Sequence, residues 1–135
     1  MKRCSVLVIN ISGRETPHGL TLEKVGFLVV ETGEWPPDEI IPEFEVVIVL
    51  LRHMQAVSML AARLRAKPHF GQRVLIAVAP QPTSPQERRA AIGCGFDDVV
   101  SEGSDSRQLL ARVLRQLRAR PEHRCFLPDL KRRAA

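Results

Sequence analysis

No stretch of this chain is long and apolar enough to cross a bilayer. Its opening, Met1-Lys2-Arg3-Cys4, leads into a short apolar run without a small-residue cleavage site. Neither a membrane span nor a secretory signal is expected. Cysteine is scarce: Cys4, Cys94 and Cys125 are odd in number, far apart and without CxxC spacing. They read as reduced thiols of a cytoplasmic protein, with Cys4 and Cys94 semi-buried. His18, His53, His69 and His123 show no ligand spacing, and His123 with Cys125 lacks a second pair, so no metal is expected. Aromatics are few: no Tyr, one Trp and five Phe, and none stands among the late arginines before Phe126. Stacking on nucleobases therefore has little to work with. No GxGxxG or P-loop accompanies Ser12-Gly13-Arg14, which reads as a turn. His53 near Ser58 or Ser101 has no third orienting residue, and no oxyanion motif is present. The chain is not expected to be an enzyme or to carry a cofactor.

What is present is a chain of 135 residues with ordinary apolar and charged fractions, enough for one well-packed domain. The net charge of +5 is unevenly placed. From Arg107 onward the net is +7, and residues 1–106 carry −2. A solvated helix face is the first reading of the basic end; nucleic acid or an acidic protein surface are the others.

Apolar runs alternate with helical patterns. Ser5–Ile9 is the first strand, with Asn10–Gly13 the loop after it. Thr16-Pro17 begins a short helix that spans Leu20–Val25 and is stopped by Gly26. Phe27–Glu31 is the second strand. Thr32–Pro42, with Trp35-Pro36-Pro37, cannot hold a long helix; one turn over Pro37–Ile41 is the most expected. Trp35 is read as packing on the sheet edge, with an exposed anchor as the alternative. Glu45–Leu51 contains the continuous run Val46-Val47-Ile48-Val49-Leu50-Leu51, a strand buried on both faces. Val57, Leu60, Ala61 and Leu64 place a helix over Met54–Ala66. Arg73–Ala79 is the fourth strand. Ser84-Pro85-Gln86-Glu87 is a capping box opening a helix that stops at Gly93 or Gly95. Asp98–Val100 is a short fifth strand, and Ser104 or Asp105 caps a last helix with the stripe Leu110, Val113, Leu114 and Leu117. The domain is placed at 1–120, followed by a basic C-terminal tail at 121–135. The fold class is α/β: a single doubly wound, parallel five-stranded sheet in the order 2-1-3-4-5, with right-handed crossovers.

Three stretches carry a family resemblance. They are Leu22-Glu23-Lys24-Val25-Gly26-Phe27, Phe44-Glu45-Val46-Val47-Ile48-Val49, and Ala90-Ala91-Ile92-Gly93-Cys94-Gly95-Phe96-Asp97-Asp98-Val99-Val100 with its sequel Leu109-Leu110-Ala111-Arg112-Val113. Over residues 4–119 the chain resembles the receiver domain of bacterial two-component response regulators, the CheY-like, flavodoxin-like fold. That resemblance implies an acidic pair holding Mg²⁺ after the first strand; here the pair is Asn10-Ile11. It implies a phosphoacceptor aspartate ending the third strand; here stands Leu50, or Leu51 if the register slips by one. The hydroxyl expected after the fourth strand is Val78 or Ala79, and the lysine after the fifth is Glu102. The aromatic switch residue of the fifth strand is Val99, and Arg52-His53-Met54 replaces the usual loop.

Nucleophile, metal ligands and charge clamp are thus missing together, and the resemblance implies a degenerate pseudo-receiver. The expected function is a non-catalytic, phosphorylation-independent signalling module in a two-component-related pathway. It would act through a protein partner or as a homodimer. Its expected contact face is the helix beginning at Ser84, the fifth strand and the last helix, presenting Arg88, Arg89, Val99, Arg107, Arg115 and Arg118. A nucleic-acid-associated regulator using the basic helix and tail is the alternative. A third reading is a small-molecule sensor using a vacated apolar pocket near Asn10, Leu50 and Val78.

Overall fold

A strand covered by helices on both faces must be apolar on both, and that requirement selects the sheet. The computed structural model describes residues 3–37, 39–53, 57–66, 73–80, 84–103 and 105–120. Five parallel strands, β1 (Ser5–Asn10), β2 (Leu28–Thr32), β3 (Val46–Leu50), β4 (Val74–Ala79) and β5 (Asp98–Ser101), lie in the order 2-1-3-4-5, as expected. Every residue of β3 and β4 is buried. Register brings Asn10, Leu50 and Val78 side by side at the carboxyl end of the sheet.

Among the described residues, α1 (His18–Lys24), α2 (Val57–Arg65) and α3 (Pro85–Cys94) connect strands, and α4 (Ser106–Arg118) follows β5. On one face, Leu22 of α1 and Leu109, Leu110, Val113, Leu114 and Leu117 of α4 pack on Val6, Val8, Ile48, Leu50, Ile76 and Val78. On the other, Ala61 and Leu64 of α2 and Ala91 of α3 pack on Leu7, Ile9, Val47, Val49, Leu75 and Ala77. The capping box at Ser84 forms in both directions, and Asp105 caps α4 by accepting from the Arg107 N–H. The alternative cap, Ser104, lies outside the described residues, as do the start of the helix expected from Met54 and the tail 121–135.

Several boundaries shift, each for a local reason. β2 begins at Leu28 because the Phe27 N–H closes back on the Leu22 carbonyl and its ring is buried in the core. β1 reaches Asn10, where the expected strand ended at Ile9. Between β2 and β3 the only regular element among the described residues is a 3₁₀ turn at Ile41–Glu43, slightly later than expected. Pro36 and Pro37 remove backbone donors before it. Where a doubly wound fold ordinarily lays a crossover helix, β2 is left thinly covered, with Leu28 and Val30 exposed.

Two cysteine expectations are corrected. Cys4 is wholly buried and disulfide-bonded, not a reduced thiol. Cys94 is free but exposed, because it ends a helix of which Ala91 alone is buried. Cys125 lies outside the described residues.

Candidate functional site

At the carboxyl end of the sheet, the polar side chains of the loops are engaged with one another. The Asn10 side chain closes the loop after β1. Its Oδ1 accepts from the Ser12 N–H at 3.2 Å and from Ser12 Oγ at 2.6 Å, and its Nδ2 donates to the Arg14 carbonyl at 2.7 Å. Ile11 packs against the α2/α3 face while its N–H donates to the Leu50 carbonyl. Leu50 is 1% exposed and Leu51 is wholly buried, on opposite faces. The end of β3 is therefore hydrocarbon packed into the core on both faces. Val78 and Ala79 are buried likewise.

Glu102 sits just beyond β5, anchored by its N–H to the Ala79 carbonyl. Its carboxylate meets Arg14 Nη2 at 2.9 Å, with the glutamate side chain only 15% exposed. The ion pair ties the loop after β1 to the loop after β5. Beneath it, His18 is 3% exposed and its Nδ1 lies 2.9 Å from Ser106 Oγ, joining the starts of α1 and α4. Burial holds the His18 pKa below its ordinary value, opposed by the nearby Glu102 carboxylate. The sequence offered no sign of this pairing, because the two residues are 88 positions apart.

The crevice at this end is not the apolar pocket expected near Asn10, Leu50 and Val78. A cavity of 440 Å³ is lined by Asn10, Gly13, Arg14, Glu15, Gly33 and Arg52 together with Ile11. Leu50 and Val78 do not reach it, since both point into the α1/α4 core. The space is therefore of mixed character, half polar and half apolar, with two arginines in its lining. Among the described residues, no cluster of His, Cys, Asp and Glu could hold a metal ion.

The helix–strand–helix face is built differently from its sequence expectation. Asp98 opens β5 and is 4% exposed. Its Oδ1 accepts from Arg88 of α3 and from the Val99 N–H, and its Oδ2 accepts from Arg112 of α4. Arg88 is thus engaged in an internal bond, and Val99, at 2% exposure, lies in the core instead of on the face. Both corrections have one cause: the short β5 turns Val99 toward α2 and α3, while the carboxylate beside it draws in arginines from both flanking helices. Asp97 receives Arg65 and Arg120 in the same way, and Arg65 Nε also donates to the Gly95 carbonyl. Arg89, Arg107, Arg115 and Arg118 remain exposed without an ion pair among the described residues. Sequence reasoning missed the structural role of Arg112. The adjacent Asp97-Asp98 at the start of an otherwise apolar strand was the signal for it. Trp35 packs against the α2/α3 core, with the Arg63 guanidinium 5.2 Å from its ring centroid, as the packing expectation had it.

No protein-family model and no curated protein matches the chain. Solved structures do. An atypical orphan response regulator with a phosphorylation-independent regulatory mechanism aligns with a TM-score of 0.66 at 22% identity, over 84% of this chain and 95% of its own. The orphan response regulator HP1043 of H. pylori gives 0.62 at 22% identity over the same shares. A response regulator from Thermotoga maritima gives 0.68 at 18% identity, over 84% of this chain and 96% of its own. The chain has the CheY-like receiver fold.

Proposed function

We propose that this protein is a receiver-fold signalling module that neither accepts nor needs a phosphoryl group and acts through protein–protein contact. The observation that carries the reading is the end of β3, where two buried leucines stand in place of a nucleophile. The Arg14–Glu102 pair supports it, because it occupies the loops between which a metal and a phosphoryl oxygen would have to fit. A phosphorylation-independent mechanism is described for one protein of the same fold, which makes such a module physically reasonable.

The contact surface we assign is the outer side of α4, Arg107, Arg115 and Arg118, with Arg89 of α3 beside it. These four are exposed and unpaired among the described residues, whereas Arg88 and Arg112 are held by Asp98. Planar multi-donor heads of this kind suit an acidic protein surface or the mildly acidic body of a second copy. Arg115→Glu with Arg118→Glu should abolish self-association and partner capture and leave the melting temperature nearly unchanged, since exposed charges contribute little to stability. Treatment with acetyl phosphate and Mg²⁺ should leave the intact mass unchanged. A phosphoryl mass gain, or capture that survives the double reversal, would overturn the reading. Retardation of duplex DNA that disappears with salt and with the same reversal would instead favour the nucleic-acid alternative.

A further inference from the structure

The crevice beyond β1, β2 and β3 has a property that contact signalling does not use. In an open α/β sheet, ligands settle outside the carboxyl ends of the strands where the strand order reverses. In this sheet that point lies between β1 and β3, whose carboxyl ends are joined by the Ile11 N–H to Leu50 carbonyl bond. The 440 Å³ cavity opens there.

Its charge is the opposite of what a metal site requires. Arg14 and Arg52 line it against one carboxylate, Glu15. Arg52 is exposed and has no ion pair among the described residues. Arg14 gives Nη2 to Glu102, yet its side chain stays 56% exposed, leaving its other N–H groups open to a ligand. Gly13, at φ +80°, turns the loop so that no atom lies within 4 Å of where a Cβ would stand. Its N–H donates to no acceptor among the described residues. Two arginines and a backbone amide without an acceptor among the described residues, on loops that meet at this crevice, supply the donors that a tetrahedral oxyanion needs. A cavity of this size also leaves room for a body attached to the anion.

We infer that this crevice binds a phosphorylated small molecule non-covalently and without a divalent metal. The phosphate sits toward Arg52 and the Gly13 amide, away from Glu15, and Arg14 bridges it to the Glu102 loop. The inference is independent of the contact surface on α4.

Calorimetric titration of the whole protein in EDTA with inorganic phosphate, pyrophosphate and AMP tests it. Saturable one-to-one binding of at least one of the three is expected. Arg52→Glu should weaken that binding about tenfold or more, the size of a lost charge-assisted contact. Gly33→Phe, at a position with open space where the side chain would stand and without a left-handed backbone, should weaken it similarly by filling the crevice. Arg115→Glu with Arg118→Glu should leave it unchanged. Absence of saturable binding by all three probes would overturn the inference. So would dependence on Mg²⁺, insensitivity to both crevice variants, or loss on reversing the α4 arginines.

Discussion

Replacing Leu50 by Asp puts a carboxylate at the end of β3, and the structure sets the consequence. Leu50 is 1% exposed and packs among Val78, Val100 and the α4 stripe. Removing its side chain from the core costs about 1.5–3 kcal/mol. A fully buried carboxylate has its pKa raised by up to roughly 3–5 units. At about 1.36 kcal/mol per unit, keeping it ionised at neutral pH costs roughly 4–7 kcal/mol more. Protonation limits that second cost at neutral pH, and against a domain stability of about 5–15 kcal/mol the variant loses a large share and is unfolded at the lower end of that range. The sign of its pH dependence is diagnostic. An acid whose folded pKa lies above its unfolded pKa binds more protons when folded, so stability falls as pH rises between the two values. Urea melts at about pH 5 and about pH 7.5 should therefore separate for Leu50→Asp, with the acidic sample the more stable, and coincide more closely for Leu50→Asn, which loses the same packing without the charge. Acetyl phosphate with Mg²⁺ should still leave the mass of Leu50→Asp unchanged, because Asn10, Val78 and Glu102 supply neither metal ligand nor clamp. Equal pH dependence in the two variants, or a phosphoryl mass gain on the Leu50→Asp protein, would refute the reasoning.

Two further outcomes follow from the buried polar groups. Asp98→Asn leaves Arg88 and Arg112 without their carboxylate; both are about one-third exposed, so the loss should be about 1–3 kcal/mol, below the figure for fully buried pairs. A double-mutant cycle with Arg112→Gln checks it, and coupling below about 0.5 kcal/mol would show that the bridge is ornamental. His18, whose pKa is held down mainly by burial, binds fewer protons folded than unfolded. Its contribution is present above the unfolded value of 6.5 and is lost as pH falls from there through the lowered folded value. Stability measured across that window should flatten in His18→Gln, and an unchanged slope would assign the pH response to other groups.

Much of this architecture is written locally. Continuous β-branched runs mark β1, β3 and β4 because a strand covered on both faces has no polar side to offer. Ser84 with Glu87 and Asp105 mark helix starts because the donors they satisfy lie within three residues. The absence of a carboxylate at the end of β3 is equally legible, since Leu50 and Leu51 are both leucine and a one-residue shift in register changes nothing. What the sequence could not decide is which charges meet. Arg14 and Glu102, His18 and Ser106, and Asp98 with Arg88 and Arg112 are brought together from different crossovers. No periodicity records such pairings. The same holds for Cys4, whose spacing suggested a free thiol and whose burial came with a disulfide. Only the assembled sheet turns Val99 inward, leaves Arg115 and Arg118 to solvent, and sets Arg52 and Arg14 around one crevice. Side-chain direction and long-range charge pairing are properties of packed elements, and they exist only once β1, β3 and β5 stand in register.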